Sequence, residues 1–340
     1  MRPRPSHAAA EGDRDPGTRP APQGPRPDSA TGTAAGLAAV SMWGLAPVAT
    51  RALVLQLPPL PLLVVRMAVA SVVLLPWCVP LLRHPVPYHP VPPRPAARRS
   101  GRRLFARLVM AGLLGMVGYN LPVTVGLQWV PASTAGLVLA SEPAWLLVLA
   151  AVFLGERASR RSWAGVAVAL GGVAVLAGPG ILSARAGARE LAGVGLIALG
   201  TLLFGAYTLM LRPLSQAYGP VPVTAASTVA GALFYAPFAA LISPAQFTRL
   251  PASAWAELAF LAVGSTALGM LAWNLAVSRL PGERAGLLLF LEPLVSVAGA
   301  VTLLGEHLSA HLAIGGALVL AGIAATWRPN PRHPDALPPP

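Results

Sequence analysis

Apolar residues in this chain fall in unbroken runs of roughly 20, separated by short polar or proline-rich connectors. Ten runs stand out, at residues 34–54, 60–82, 104–128, 132–154, 162–182, 191–211, 221–243, 255–278, 285–304 and 311–327. Each is long enough to cross about 30 Å of hydrocarbon as a helix. Lipid satisfies no free backbone groups, so such runs must be helices or strands of a closed barrel. Barrel strands alternate apolar and polar positions, and these runs do not. Between them stand helix stops: Pro58-Pro59, the stretch from Pro85 to Pro95, Pro131, Gly178-Pro179-Gly180, Gly219-Pro220, Pro244 and Pro281-Gly282. No connector is long enough for a separate soluble domain. The pattern predicts an all-α membrane protein of ten transmembrane helices.

The runs also repeat. Thr134–Ser159 and Arg284–Ser309 are identical at 11 of 26 positions, 150 residues apart. The shared positions include Glu142-Pro143 with Glu292-Pro293, and Gly155-Glu156 with Gly305-Glu306. At an offset of 161, Trp43-Gly44 and Arg51 match Phe204-Gly205 and Arg212, and Pro59 and Pro61 match Pro220 and Pro222. Gly165, Leu170 and Gly172 match Gly315, Leu320 and Gly322 at 150. Spans 1–5 therefore recur as spans 6–10, giving repeats over 34–182 and 191–327 joined by a connector at 183–190. Five is odd, so the second copy runs through the bilayer upside down. Inverted repeats place a substrate site near the midplane, where the halves meet.

Composition agrees. Hydrophobic residues make up 55% of the chain and charged ones 11%, against about 25% charged in a soluble domain. The net charge of +13 is carried by arginine alone, and its placement follows topology rather than a nucleic-acid surface. With the N-terminus inside, 20 of 25 arginines fall on the cytoplasmic side, and Arg51, Arg185, Arg189 and Arg249 on the other. Both termini are then cytoplasmic and 183–190 is extracellular. Residues 1–33 and 328–340, rich in Pro, Arg, Gly and Ala, read as disordered tails, without the apolar core of a cleavable signal. Cys78 is the single cysteine, which excludes an internal disulfide. The six histidines form no metal cluster, and no phosphate-binding loop exists; neither metal nor cofactor is implied.

Candidate chemistry centres on Glu142 and Glu292. A carboxylate in mid-span costs about 2.5–3.5 kcal/mol on insertion scales, so it must face the bundle interior or water. The proline after each favours a helix break, with Glu as the N-cap and Pro opening a half-helix. Two readings stay open: a group that binds protons or substrate, or a cap that never titrates. Polar stripes at helical spacing lie on other spans: Asn120, Thr124 and Gln128 beside Tyr119; Thr201, Gly205, Thr208 and Arg212 beside Tyr207; Trp273, Asn274 and Ser278; Ser141 and Trp145. In lipid these faces turn to other helices or to a cavity. Trp43 either stacks on a substrate or packs, and Pro47 one turn on is a candidate hinge. Arg66 either snorkels to headgroups or pairs with an anion. Gly155-Glu156 and Gly305-Glu306 suit helix termination. The glycine faces of spans five and ten suit close packing, within the fold or across a homodimer.

Trp43-Gly44, Arg66, the two Glu-Pro pairs and the two Gly-Glu pairs together resemble the EamA-type branch of the drug/metabolite transporter superfamily, over about residues 34–327. That resemblance implies a ten-helix plasma-membrane carrier, often an exporter of amino acids, metabolites or drugs. It also implies a central cavity lined by spans 1, 3, 4, 6, 8 and 9. Arg66 has no counterpart in the second copy, where Ser227 stands.

The residues thus point to a secondary transporter acting by alternating access, with a small-molecule substrate and possible proton coupling. An uncoupled facilitator with structural Glu-Pro caps is the alternative within transport. An intramembrane enzyme would need a nucleophile–base pair or a metal constellation in the spans, and the sequence offers neither. The topology is checked with a reporter fused after Arg328. A cytoplasm-dependent reporter is expected to be active there, and activity of an exterior-only reporter would overturn the ten-span arrangement.

Overall fold

The computed structural model describes residues 29–83, 100–155, 158–176, 186–280 and 282–327. Among them the regular structure is entirely helical. In the first half, α1 is Ser29–Val54, α2 Pro59–Arg83, α3 Ser100–Gly112, α4 Asn120–Gly126, α5 Ala132–Leu139, α6 Glu142–Leu154 and α7 Arg160–Leu176. In the second, α8 is Ala186–Tyr218, α9 Pro220–Tyr235, α10 Ala245–Thr248, α11 Ala252–Ala259, α12 Gly269–Arg279, α13 Gly282–Leu289, α14 Leu291–Leu304 and α15 Ala310–Trp327.

Eight helical stretches among the described residues are long and apolar enough to cross a membrane, at the places of spans one to four and six to nine. The other two expected spans are the shorter helices α7, of 17 residues, and α15, of 18. The expected fifth span ran on to residue 182, but residues 177–185 lie outside the described set. The expected tails also lie outside it, except that α1 begins at Ser29.

Four spans depart from a plain α-helix, in matching places of the two halves. The third loosens into a π-helical stretch, Leu113–Tyr119, between α3 and α4. The eighth does so at Phe260–Leu268, between α11 and α12. The fourth breaks at Ala140-Ser141, between α5 and α6, and the ninth at Phe290, between α13 and α14. Proline cannot donate an N–H and disfavours helix in the residue before it, so each break falls just ahead of Glu-Pro. The break lies earlier than expected. Ser141 rather than Glu142 is the N-cap of α6, and Phe290 that of α14. The glutamates stand inside the first turn. Gly155 and Gly305, both at φ 67°, end the two half-helices in the left-handed conformation that glycine adopts without strain.

The halves interlock. The first-half helix α1 runs against α12 and α14 of the second half, and the second-half helix α8 against α4 and α6 of the first. The second helices of each half, α2 and α9, pack together. At the side of this bundle α7 and α15 pack on one another. Their glycines serve that contact. A Cβ on Gly172 would lie 2.7 Å from the Gly315 carbonyl oxygen, and one on Gly322 would lie 2.5 Å from that of Gly165. Between an intrachain contact and a homodimer seam, these glycines serve the first.

Substituting Gly322→Leu forces two backbones apart, and overpacking of this kind costs about 1–3 kcal/mol. The thermal midpoint of the detergent-purified protein is expected to fall by several degrees. Gly171→Leu, where a Cβ would meet nothing within 4 Å, is the control that leaves it unchanged.

Candidate functional site

Two of these breaks put a carboxylate in the first turn of a half-helix, one from each half of the chain. Glu142 and Glu292 are both half-buried. They lie within electrostatic range of each other, and both act on the Tyr119 hydroxyl. The N-caps of α6 and α14 are Ser141 and Phe290, and neither makes a side-chain cap bond. Trp145, one turn after Glu142, has a buried indole N–H without a hydrogen-bond partner.

Aromatic rings flank both breaks, set there by glycine. Gly44 lets α1 close on the second-half break, where a Cβ would lie 2.6 Å from the Glu292 carbonyl oxygen. The adjacent Trp43 meets Trp273 with ring centroids 5.5 Å apart. Gly205 sets α8 against α6 less tightly: a Cβ there would lie 3.2 Å from a Leu149 methyl and 3.6 Å from the Leu146 nitrogen. The adjacent Phe204 lies 4.8 Å from Tyr119 and 5.3 Å from Tyr207, centroid to centroid. The repeated pair of aromatic and glycine in spans one and six thus sets an aromatic beside a half-helix twice, with the close backbone approach at Gly44.

The π-helical stretches supply the rest of the polar wiring. A π turn spoils the regular i→i+4 ladder and frees carbonyls, and in apolar surroundings each needs a donor. Trp43 Nε1 donates to the Ser265 carbonyl at 3.1 Å, and Tyr235 Oη to that of Met116 at 3.0 Å. Asn120 Nδ2 donates to the Gly115 carbonyl at 3.1 Å, and Thr266 Oγ1 to that of Leu261 at 2.7 Å, each five residues back along its own helix. Arg66 is buried, and its Nε donates to Thr266 Oγ1 at 3.1 Å. The guanidinium therefore grips the loosened part of span eight rather than the headgroup layer, and its charge acts on Tyr119 and Tyr235.

The structure groups the sequence candidates unevenly. Trp43, Tyr119, Glu142, Trp145, Trp273 and Glu292 stand at or beside the breaks and the aromatic pairs, with Arg66 on the far side of Tyr119. Thr124 and Ser141 are buried, and Ser141 Oγ turns back to the Val138 carbonyl at 2.6 Å. Asn120 and Asn274 spend their amides on their own helices, Asn274 on the Met270 carbonyl at 2.9 Å. Tyr207 lies 3.3 Å from Ser227 Oγ, its ring against Gly115. A cleft of about 670 Å³ lined by Gln56, Gln246, Thr248 and Arg249 lies away from all of them. Phe204, Tyr235, Ser265 and Thr266 were not singled out in the sequence. Phe204 was findable as the counterpart of Trp43, whereas the other three depend on where the helix loosens, which no pattern of apolar positions encodes.

The model of the EamA-like transporter family matches the chain twice, at residues 30–178 and 191–328. A probable terminal-alkyne amino-acid exporter of Streptantibioticus cattleyicolor is 33% identical over 219 residues, 64% of this chain and 71% of that protein. A probable amino-acid metabolite efflux pump of Salmonella typhimurium is 27% identical, over 61% of this chain and 74% of its own. An aromatic amino acid exporter of Ancylobacter novellus is also 27% identical, over 63% and 73%. One solved crystal structure shares the fold with a TM-score of 0.56 at 22% identity, covering 88% of this chain and 98% of that one.

Replacing Trp43→Phe keeps an aromatic ring but leaves the Ser265 carbonyl without its donor. A lost hydrogen bond of this kind costs about 1 kcal/mol. The thermal midpoint in detergent is expected to drop by a few degrees, and an unchanged midpoint would mean that water replaces the indole there.

Proposed function

Because the chain belongs to the EamA-like transporter family, we propose that it is a secondary exporter of a small organic solute, alternating access between two inverted five-span repeats. The family's members are named transporters and exporters, not enzymes. Eight long apolar helices fit a multi-pass membrane protein. The proposal adds α7 and α15 as spans five and ten, which puts the odd count in each repeat and inverts the second. The arginine distribution supports a plasma-membrane setting with both termini cytoplasmic. Relatives named for exporting amino acids and their metabolites favour that class of cargo, with drugs as the broader alternative.

The observation that carries the mechanism is the pair Glu142 and Glu292: one from each repeat, at a helix break, half-buried, and in mutual electrostatic range. The sequence carries no nucleotide-binding loop, which leaves an ion or substrate gradient, or another subunit, as the source of energy. A carboxylate at a break is suited to take a proton from one side and release it to the other as the repeats rock. The competing reading is a facilitator in which Glu142 and Glu292 are purely structural.

Exchanging Glu142→Gln and Glu292→Gln, singly, keeps size and hydrogen bonding but removes titration. In proteoliposomes, export driven by a pH gradient is expected to fall at least about tenfold in one or both, as for loss of a general acid–base group. Substrate exchange without a gradient is expected to survive. Native pH dependence in both variants would return the pair to a structural role.

A further inference from the structure

Away from the site, Glu306 makes the densest polar contact between the two halves. It follows Gly305, whose left-handed turn ends α14, and its N–H donates to the Ala300 carbonyl at 3.1 Å. The side chain then leaves its own half. Oε1 accepts the Ala132 N–H at 2.7 Å, and Oε2 accepts the Ser133 N–H at 3.0 Å and the Ser133 hydroxyl at 2.5 Å. These are the first amides of α5, which the helix itself cannot pair. The residue at its N-cap is Pro131, which has no side-chain oxygen to offer. The cap is supplied instead by the other half of the chain. Ser296 Oγ adds a bond to the Ala132 carbonyl at 3.4 Å. Arg51, at the end of α1, donates to the Leu127 carbonyl at 2.6 Å, and its charge acts on Glu306. The ends of α1, α4, α5 and α14 are thereby tied at one face.

Among the described residues the opposite face is packed less closely. The counterpart of the α5–α14 contact, 150 positions on, would bring α13 against α6. Among the described residues α5 packs along α14 and against α1, while α13 makes no comparable contact with α6 or α8. Burial follows: α14 buries Pro293, Ser296, Gly299 and Ala300, whereas its counterpart α6 buries only Ala144 and Ala150.

We propose that Glu306, with Ser133 and Arg51, is the latch that seals one mouth of the transport pathway, and that the structure has this mouth shut and the other open. By the arginine topology the sealed mouth is extracellular, so the molecule is inward-open and release of cargo requires the latch to break. The proposal rests on the carrier reading above, and its test separates the two.

The full chain offers a clean background, because Cys78 is its single cysteine. In Cys78→Ser protein, one reporter cysteine is placed at Ser296, behind the latch, and another, separately, at its counterpart Leu146. A membrane-impermeant maleimide is applied from the outside for the first and from the inside for the second. With Glu306 intact, Ser296→Cys is expected to label slowly and Leu146→Cys fast. Glu306→Ala is expected to speed the first roughly tenfold, the scale of losing a helix cap, and to slow the second. Glu306→Gln, which keeps one acceptor oxygen, and Ser133→Ala, which removes one bond, should fall in between, and they carry the test alone should the alanine variant not fold. Unchanged labelling at Ser296→Cys in all folded variants overturns the latch, whatever the protein transports. Faster labelling at Ser296→Cys with Leu146→Cys unaffected upholds the seal but overturns alternating access.

Discussion

A backbone carbonyl or amide released inside hydrocarbon must find a protein partner, and most of the polar architecture follows from that constraint. Two breaks and two π-helical stretches interrupt the spans, and each interruption releases such groups. Trp43, Asn120, Tyr235 and Thr266 answer four carbonyls of the π stretches, and Arg66 is held through Thr266. Ser141 answers Val138 at the break in span four. Glu306 answers two amides where α5 begins. None of these bonds involves the two glutamates at the breaks. Their freedom from such duty is what distinguishes them as candidates for carrying cargo or protons.

The same constraint explains what the sequence showed and what it hid. Apolar run length placed the spans, because the thickness of hydrocarbon sets it. Glu-Pro placed the breaks to within a residue or two, because proline acts locally. Gly155-Glu156 and Gly305-Glu306 announced helix ends correctly, yet nothing local announced that Glu306 would cap a helix 173 positions away in the chain. The π stretches were equally hidden. Whether a helix admits an extra residue per turn depends on which neighbours donate to the carbonyls it frees, and Trp43 and Tyr235 come from other spans. Asn120 looked like a cavity residue because its spacing with Thr124 and Gln128 is helical. The structure shows its amide closing a π turn, a use that the same polarity serves equally well.

Duplication gave the halves one plan, and their differences mark where the plan has been bent. Trp43 faces Phe204 across the repeat, and Arg66 faces Ser227. The first exchange keeps an aromatic at each break. The second replaces a cation that grips a π stretch with a hydroxyl that meets Tyr207. Arg66 thus stands at one π stretch, with Ser227 rather than a cation at the corresponding position of the other half.

The latch is uneven for the same reason. Glu306 works because Ser133 brings both an amide and a hydroxyl to it. At the matching position of the second half the residue is Glu283, and the one matching Ser296 is Leu146. The second half thus lacks, at that position in the sequence, the hydroxyl donor that Ser133 gives Glu306. Two mouths built from one ancestral plan need equal locks only if both are to close with equal strength. On the proposed latch, the Ser133 hydroxyl and the capped amides of α5 hold one mouth closed at rest. Under the alternating-access proposal, cargo or a proton supplies the differential binding energy that reverses it, since a ligand that bound both states alike would shift nothing.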